Sequence, residues 1–256
     1  IKALIDRISV IGPDGAREGG VIWHTTGSGK SLTMVFLCKA MLLHKNLTEC
    51  RVLVVTDRVD LEKQLARTFL SGGALGEVKG LKKEENRAKA STGRDLAKRI
   101  GKGNERIIFS IINKFGTAAK LPECYNPSEN IIVLVDEGHR SQSGENHERM
   151  RKALPNASYV AFTGTPLLKD DKTTNKFGPI VHAYTMQRAV DDGTVTPLLY
   201  EERKPVLNIN ASAIDNWFDK ITVALSDKQK SDLKEKYGKR GQLYGSAARI
   251  QLIAWD

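Results

Sequence analysis

Residues 21–34, VIWHTTGSGKSLTM, contain the turn that decides the fold. The apolar run GVIWH at 20–24 leads into a loop of small residues, and apolar side chains then recur through 30–45 as in a broadly buried helix. A buried strand that turns through glycines into a helix is typical of phosphate-binding loops, because N–H groups of the loop and the helix N-terminus face the anion. The sequence therefore predicts a nucleotide-binding α/β unit at this turn.

The loop also carries the side chains that a bound nucleotide needs. Lys30 is placed for the β- and γ-phosphates, and the hydroxyl of Ser31 is placed for Mg²⁺. The residues whose backbone would wrap the phosphates are Thr25, Thr26, Gly27, Ser28 and Gly29. The pattern G-x-x-x-x-G-K-S/T fails only at His24, a position that begins the turn and does not itself grip a phosphate. A chance GSGKS in a surface loop is disfavoured by the strand before it and the helix after it.

Strands and helices alternate along the rest of the chain. Continuous apolar runs predict buried parallel strands at 51–57, 106–112, 130–139 and 157–166, and helices are predicted at 58–70 and 84–100. This alternation is typical of βαβ units and predicts a parallel sheet with helices on both faces. We expect this domain to occupy residues 1–200 and a mostly helical or partly ordered extension to occupy 201–256.

Two neighbouring acids end the most apolar strand, in IIVLVDEGH. A nucleotide hydrolase needs one carboxylate that holds Mg²⁺ through water and a second that orients the attacking water, both at the carboxyl edge of the sheet. We assign the metal role to Asp136 and the general-base role to Glu137. A helix N-cap is the alternative, and it accounts for one acid but not for the pair.

The formal net charge of +10 is concentrated in one segment. Residues 79–120 contain twelve Lys or Arg and four Asp or Glu, a local excess of eight positive charges. A solvated helix face and a surface that meets a polyanion both account for this excess, and charge alone does not decide between them.

Cysteine spacing and hydropathy point to the cytoplasm. Cys38, Cys50 and Cys124 are widely spaced and form no CxxC pair, so we interpret them as ordinary intracellular thiols. No apolar run reaches 18 residues, and the N-terminal IKALIDRISV does not resemble a signal peptide, so no membrane association is expected.

Four motifs resemble those of superfamily 2 helicases and translocases, in order and at suitable spacing. They are GSGKS at 27–31, VLVVTDRVDLEKQL at 52–65, DEGH at 136–139 and FTGTP at 162–166, which match motifs I, Ia, II and III. The chain resembles still more closely the restriction (R) subunit of type I restriction-modification enzymes, in which the loop reads WHTxGSGKSLTM and motif II reads DExHRSQ. Here these motifs read WHTTGSGKSLTM and DEGHRSQSG, so His24 is a feature of the resemblance.

The resemblance covers residues 20–200 and implies a P-loop, RecA-like first motor domain. Such a domain uses ATP and Mg²⁺ to move along double-stranded DNA, before cleavage by a nuclease domain outside this chain. The resemblance further implies that Thr163, Gly164, Thr165 and His139 couple the nucleotide to DNA, and that Thr56 and Arg58 contact DNA. Lys114 and the basic segment 79–104 are weaker candidates for contacts with phosphates. A plain strand-ending turn is the alternative for TGTP, and a surface salt bridge is the alternative for Arg58. The implied partners are a methyltransferase subunit and a specificity subunit.

The chain departs from the resemblance in several ways. It lacks motifs IV–VI, a D…ExK nuclease arrangement and the glutamine stretch that recognises adenine. We therefore expect ATP binding with little turnover by this fragment alone, and preference for adenine is only inferred. There are two alternatives to the restriction motor. One is another superfamily 2 helicase or remodelling ATPase, and the other is a nucleotide-gated scaffold without turnover. The sequence specifies neither the DNA target, nor the direction and step size of translocation, nor the stoichiometry of the complex.

Overall fold

Six parallel strands form the central sheet in the computed structural model, which describes residues 1–75, 88–136, 144–165, 172–197, 216 and 218–237. The strands are β1 (Gly20–His24), β2 (Arg51–Thr56), β3 (Ile107–Ile111), β4 (Ile131–Asp136), β5 (Ser158–Thr163) and β6 (Ile180–Tyr184). Their order across the sheet is β3-β2-β4-β5-β1-β6, and every neighbouring pair is parallel. The predicted parallel α/β sheet is confirmed.

Nine helices are described along the chain. They are α1 (Lys2–Ile8), α2 (Lys30–Leu43), α3 (Val59–Ser71), α4 (Gly93–Lys102), α5 (Phe115–Ala118), α6 (Glu145–Ala153), α7 (Lys172–Phe177), α8 (Met186–Asp191) and α9 (Asp227–Tyr237), with short 3₁₀ turns at Ile112–Lys114 and Pro122–Cys124. The chain divides into two compact units, Ile1–Pro197 and Leu198–Asp256. The first unit contains the sheet, and α9 belongs to the second.

The sheet is covered on both faces, which is why the inner positions of its central strands are apolar. Successive residues of a strand point to opposite faces, so Leu53 and Val54 of β2 lie in two different cores. The core with Val54 includes Met34 of α2 and Phe69 of α3. The core with Leu53 includes side chains of α4, α5 and α6. Two-sided burial therefore explains the continuous hydrophobic runs in the sequence.

Helix α4 begins later than the charge pattern predicted. The prediction of a helix over 84–100 is wrong for residues 89–92, and residues 84–87 lie outside the described part of the chain. Lys89 forms a parallel bridge with Phe109, and the N–H of Ala90 donates to the carbonyl of Phe109 at 2.9 Å. The hydroxyl of Thr92 then accepts from the N–H of Asp95 at 3.1 Å and caps the helix.

Two arginines bind backbone carbonyls near the amino ends of the strands. Arg17, which is 8% exposed, donates to the carbonyls of Ile8, Ser9, Asn46 and Glu129 and to the side chain of Asn130. Arg51, the first residue of β2, donates to the carbonyls of Arg99, Ile100 and Glu105. The five donors of a guanidinium thus satisfy carbonyls from several connections at once, including the C-terminal end of α4.

All three cysteines of the chain are buried thiols. Burial raises the pKa of Cys38 and of Cys50, and it raises the pKa of Cys124 to about 11. Across the described residues, no group of three or more His, Cys, Asp or Glu side chains could hold a metal ion. Over the same part of the chain, no helix combines the length and apolar character that a membrane span requires.

Candidate nucleotide-binding site

The predicted nucleotide residues meet at the carboxyl edge of the sheet. The loop at 25–29 follows β1, Asp136 is the last residue of β4, and residues 163–165 end and follow β5. Strand β5 lies between β1 and β4, with Trp23 opposite Thr163 and Asp136 opposite Phe162. Three separate segments of sequence therefore converge on one edge.

The loop closes tightly before α2 begins. Both the N–H and the hydroxyl of Ser28 donate to the carbonyl of Thr25, at 3.3 and 2.6 Å. Gly27 and Gly29 have φ values of 84° and 87°, in the left-handed region that side chains with a Cβ rarely adopt. These glycines are therefore required by the backbone path of the loop.

The N-terminus of α2 suits a phosphate group. This 14-residue helix begins at Lys30, and the first N–H groups of any helix have no partner within it. Those N–H groups and the aligned peptide dipoles favour an anion at this end, and Lys30 adds a positive charge. The first turn contains Ser31 and no acidic residue. The loop can thus bind a phosphate chain.

The oxygen donors at this edge suit Mg²⁺. Ser31 contributes a hydroxyl at the start of α2, and Asp136, which is 8% exposed, contributes a carboxylate at the end of β4. Hard oxygen ligands together with water are the donors that Mg²⁺ prefers. Glu137 and His139 lie outside the described residues, so their assigned roles stay predictions.

A contact that sequence reasoning missed joins motif III to the phosphate loop. The indole N–H of Trp23 donates to the carbonyl of Gly164 at 3.1 Å. A Cβ placed on Gly164 would lie 3.0 Å from Oγ1 and 3.4 Å from the backbone N of Thr26. Thr163 is fully buried, and its hydroxyl accepts from the N–H of Thr165 at 3.2 Å. The turn after β5 therefore packs directly against the loop. The sequence signal for this contact was Trp23 itself, because a half-buried indole N–H needs a hydrogen-bond acceptor.

His24 has a structural partner on the edge strand β6. Its Nε2 lies 2.9 Å from Nδ1 of His182, and the N–H of Thr25 donates to the carbonyl of Tyr184 at 3.0 Å. Burial, followed by the charge of His182, lowers the pKa of His24 to about 4. The imidazole is therefore neutral at pH 7, and the pair joins the first position of the loop to β6.

The predicted DNA-contact residues have different surroundings. Thr56 is 1% exposed, and its hydroxyl donates to the carbonyl of Arg58 at 3.1 Å, which shapes the turn after β2. The guanidinium of Arg58 is exposed and lies 3.6 Å from the carboxylate of Asp60. This contact is the kind of surface salt bridge that the alternative interpretation of Arg58 describes.

Lys114 is bound internally. Its ammonium donates to the carboxylate of Glu62 at 2.9 Å and to the carbonyl of Ala90 at 2.6 Å. The two side chains of this ion pair are only 15% and 7% exposed. This geometry counts against the predicted phosphate contact by Lys114.

Residues 1–231 match the family model described as SWI2/SNF2 ATPase. The chain belongs to the SWI2/SNF2 ATPase family. Curated relatives of this SWI2/SNF2 ATPase domain are endonuclease subunits of type I restriction enzymes, so the resemblance in the sequence is confirmed. The putative MjaIXP subunit of Methanocaldococcus jannaschii is 38% identical over 229 residues, which are 87% of this chain and 21% of the relative. The HindI subunit of Haemophilus influenzae is 35% identical over 260 residues, which are 94% and 23% of the two chains.

This SWI2/SNF2 ATPase domain thus spans about a fifth of the length of the curated relatives that it matches. Among solved structures, the Pyrococcus furiosus Hef helicase domain is similar, with a TM-score of 0.53 and 16% identity. That similarity covers 92% of this chain and 55% of the Hef chain, and it supports the RecA-like fold.

Proposed function

We propose that this chain is the first RecA-like motor domain of a type I restriction endonuclease subunit. In this proposal the domain binds ATP and Mg²⁺ and couples hydrolysis to translocation along double-stranded DNA. The observation that carries the proposal is the convergence of the phosphate loop, Asp136 and the turn at 163–165 on one edge of the sheet, in a chain from an ATPase family.

Residues of the loop, of the start of α2 and of the DEGH motif each have a proposed task in hydrolysis. The backbone N–H groups of 25–29 hold the phosphates, and Lys30 stabilises the charge of the β- and γ-phosphates. Ser31 and Asp136 would hold Mg²⁺, which when bound would neutralise charge on the phosphate oxygens. Glu137 accepts the proton of the attacking water.

The coupling between nucleotide and DNA would pass through the turn after β5. Gly164 packs against Thr26, so a shift of the loop on phosphate release displaces this turn. Packed contacts of this kind change between discrete arrangements and so transmit small movements. Thr163, Thr165 and His139 are the other members proposed for this path, and Thr56 and Arg58 would contact the DNA backbone.

The complete motor requires more than this chain. The proposed arrangement places residues 1–200 in the first motor domain and residues 201–256 in the connection to a second, which completes the ATP site with an arginine. Methyltransferase and specificity subunits would complete the complex. The isolated chain should therefore bind ATP with little turnover.

The decisive test is ATP hydrolysis by the intact subunit assembled with its partner subunits. We expect strong stimulation by unmethylated duplex DNA, weak stimulation by single-stranded DNA or RNA, and a loss of about 10²-fold or more in Lys30→Ala. Lys45→Ala, which removes an exposed lysine just beyond α2, is the matched control and should retain activity. Stimulation by RNA alone would favour another helicase, and turnover unaffected by any nucleic acid would favour the nucleotide-gated scaffold.

A further inference from the structure

Within the described part of the basic segment, residues 88–120, the charges are of two kinds, internal and exposed. Lys114 pairs with Glu62. Arg99 donates to Asp95 at 2.9 Å and lies 3.5 Å from Glu105. The pKa of Asp95 is low despite the cost of its partial burial, because Arg99 and Ser91 hydrogen-bond to its carboxylate. These groups neutralise each other within the fold.

A separate set of cations lies on the outer face of α4. Arg94, Lys98 and Lys102 are each four residues apart and exposed, whereas Leu96, Ala97 and Ile100 of the same helix are buried. In the part of the chain that the structure describes, no carboxylate oxygen lies within 4.0 Å of a side-chain nitrogen of these three cations. We call Arg94, Lys98 and Lys102 the α4 basic stripe.

Lys120 is a further exposed cation near α4. It lies between α5 and the 3₁₀ turn at Pro122–Cys124, both of which pack against α4. The exposed residues of α4 are the three cations of the stripe and Gly101, so this outer face has no exposed apolar side chain.

We propose that the α4 basic stripe is a contact surface for the phosphate backbone of duplex DNA. Four residues of α-helix rise about 6 Å, so the stripe spans about 12 Å along the helix axis. Duplex DNA presents one charge per about 1.7 Å of its axis, and exposed Lys and Arg bind it by releasing counterions. The proposal rests on the proposed function, because it assigns part of the DNA contact to a named surface.

This surface differs from the one expected for Thr56 and Arg58. Thr56 is the last residue of β2 and Arg58 follows it, at the carboxyl edge of the sheet. The α4 basic stripe instead lies on the sheet face covered by α4, α5 and α6, opposite the face covered by α2 and α3. Protein interfaces have apolar or aromatic centres with few charges, so the composition of this face favours nucleic acid over a protein partner.

The test uses the intact subunit with its partner subunits and the triple variant R94Q/K98Q/K102Q. The first measurement is the affinity for a fluorescently labelled 30-base-pair duplex without nucleotide, by anisotropy at several salt concentrations. The second is the DNA concentration that gives half-maximal ATPase stimulation. The control variant K2Q/K45Q/K63Q removes the same charge from exposed lysines outside the α4 face.

We expect the stripe variant to bind duplex DNA about tenfold more weakly, and the slope of log K against log salt to fall in magnitude by about 2 to 3. Its ATPase rate at saturating DNA should remain near that of the wild type. The control variant should keep a steeper salt slope than the stripe variant.

Equal DNA affinity and salt slope in the stripe variant and the wild type would overturn the inference. Loss of subunit assembly with unchanged DNA binding would also overturn it, because the stripe would then contact a protein partner. If the wild-type ATPase does not respond to duplex DNA, the proposed function fails. The anisotropy measurement still tests the stripe in that case.

Discussion

A histidine stands where phosphate loops usually have a glycine, and the structure shows what it contacts. His24 lies against His182 and Tyr184 of β6, with the rings of His24 and His182 edge to face. The left-handed backbone that glycine permits occurs later in the loop, at Gly27 and Gly29. A side chain at position 24 is therefore compatible with the turn and adds a contact to the edge strand.

Trp23 gives the first prediction at the scale of single residues. Trp23→Phe keeps an aromatic ring in β1 but removes the N–H that holds the carbonyl of Gly164. A neutral hydrogen bond contributes about 1 kcal/mol, so we expect DNA-stimulated kcat to fall about fivefold while the KM for ATP changes less than about twofold. Steady-state ATPase assays on the assembled subunit provide both values.

The matched control for this variant is Tyr125→Phe, which removes a polar group from an exposed aromatic residue. Its kcat and KM should equal those of the wild type. An equal loss of kcat with and without DNA would assign Trp23 to hydrolysis itself and contradict a coupling role.

Local and distant contacts of the site differed in how well the sequence predicted them. Lys30, Ser31 and Asp136 could be placed because each follows directly from a strand and its turn. The pairing of His24 with His182 could not, since 158 residues separate them and the register of β1 and β6 shifts between Val21 and Ile22. The Trp23–Gly164 contact likewise depends on which strands become neighbours.

At the scale of elements, the Glu62–Lys114 ion pair joins α3 to the turn after β3. Lys114→Met would leave the carboxylate of Glu62 buried without its cation. Removing one partner of a buried pair costs about 3 to 5 kcal/mol, so we expect a loss of that order in the free energy of unfolding. Urea titration followed by circular dichroism would measure it.

Two variants separate the ion pair from the packing of the lysine. Lys120→Met, at an exposed position, should change the free energy of unfolding by less than about 0.5 kcal/mol. The double variant Glu62→Leu/Lys114→Met should recover a large part of the loss, because no charge is left buried. A single variant as stable as the wild type would show that Glu62 is readily solvated.

The strands were easier to predict than the helices. Burial on both faces makes the inner residues of a central strand apolar, as in β2 and β4, and such runs are visible in the sequence. The start of α4 depends on the Thr92 cap and on a bridge between Lys89 and Phe109, which are 20 positions apart. A run of charged residues contains no signal for either contact.

At the scale of the whole molecule, a buried histidine makes stability depend on pH. The side chain of His147 is 1% exposed and lies beside Tyr159 and Phe177. Burial, with smaller effects from Arg151 and Lys176, lowers its pKa from 6.5 to about 4. Below pH 6.5 His147 binds a proton in the unfolded chain but stays neutral in the folded protein. The free energy of unfolding therefore falls as pH decreases towards 4.

We expect His147 to account for a loss on the order of 3 kcal/mol between pH 7 and pH 4. His147→Phe replaces the imidazole by a ring that does not titrate, so its stability should fall less steeply over this range. Urea titrations of both proteins at pH 7, 6, 5 and 4 would compare the slopes. Parallel slopes would contradict a neutral buried imidazole.

The three cysteines have a practical consequence for work on this protein. Their side chains lie inside the two cores, and a thiol must be both exposed and deprotonated to be alkylated. A cysteine introduced on the surface, for example at Asn104 beyond α4, should thus react with a maleimide dye much faster than the native thiols of this chain. Fluorophores could then be attached to this domain, for instance to test whether ATP changes its position, without first removing Cys38, Cys50 or Cys124.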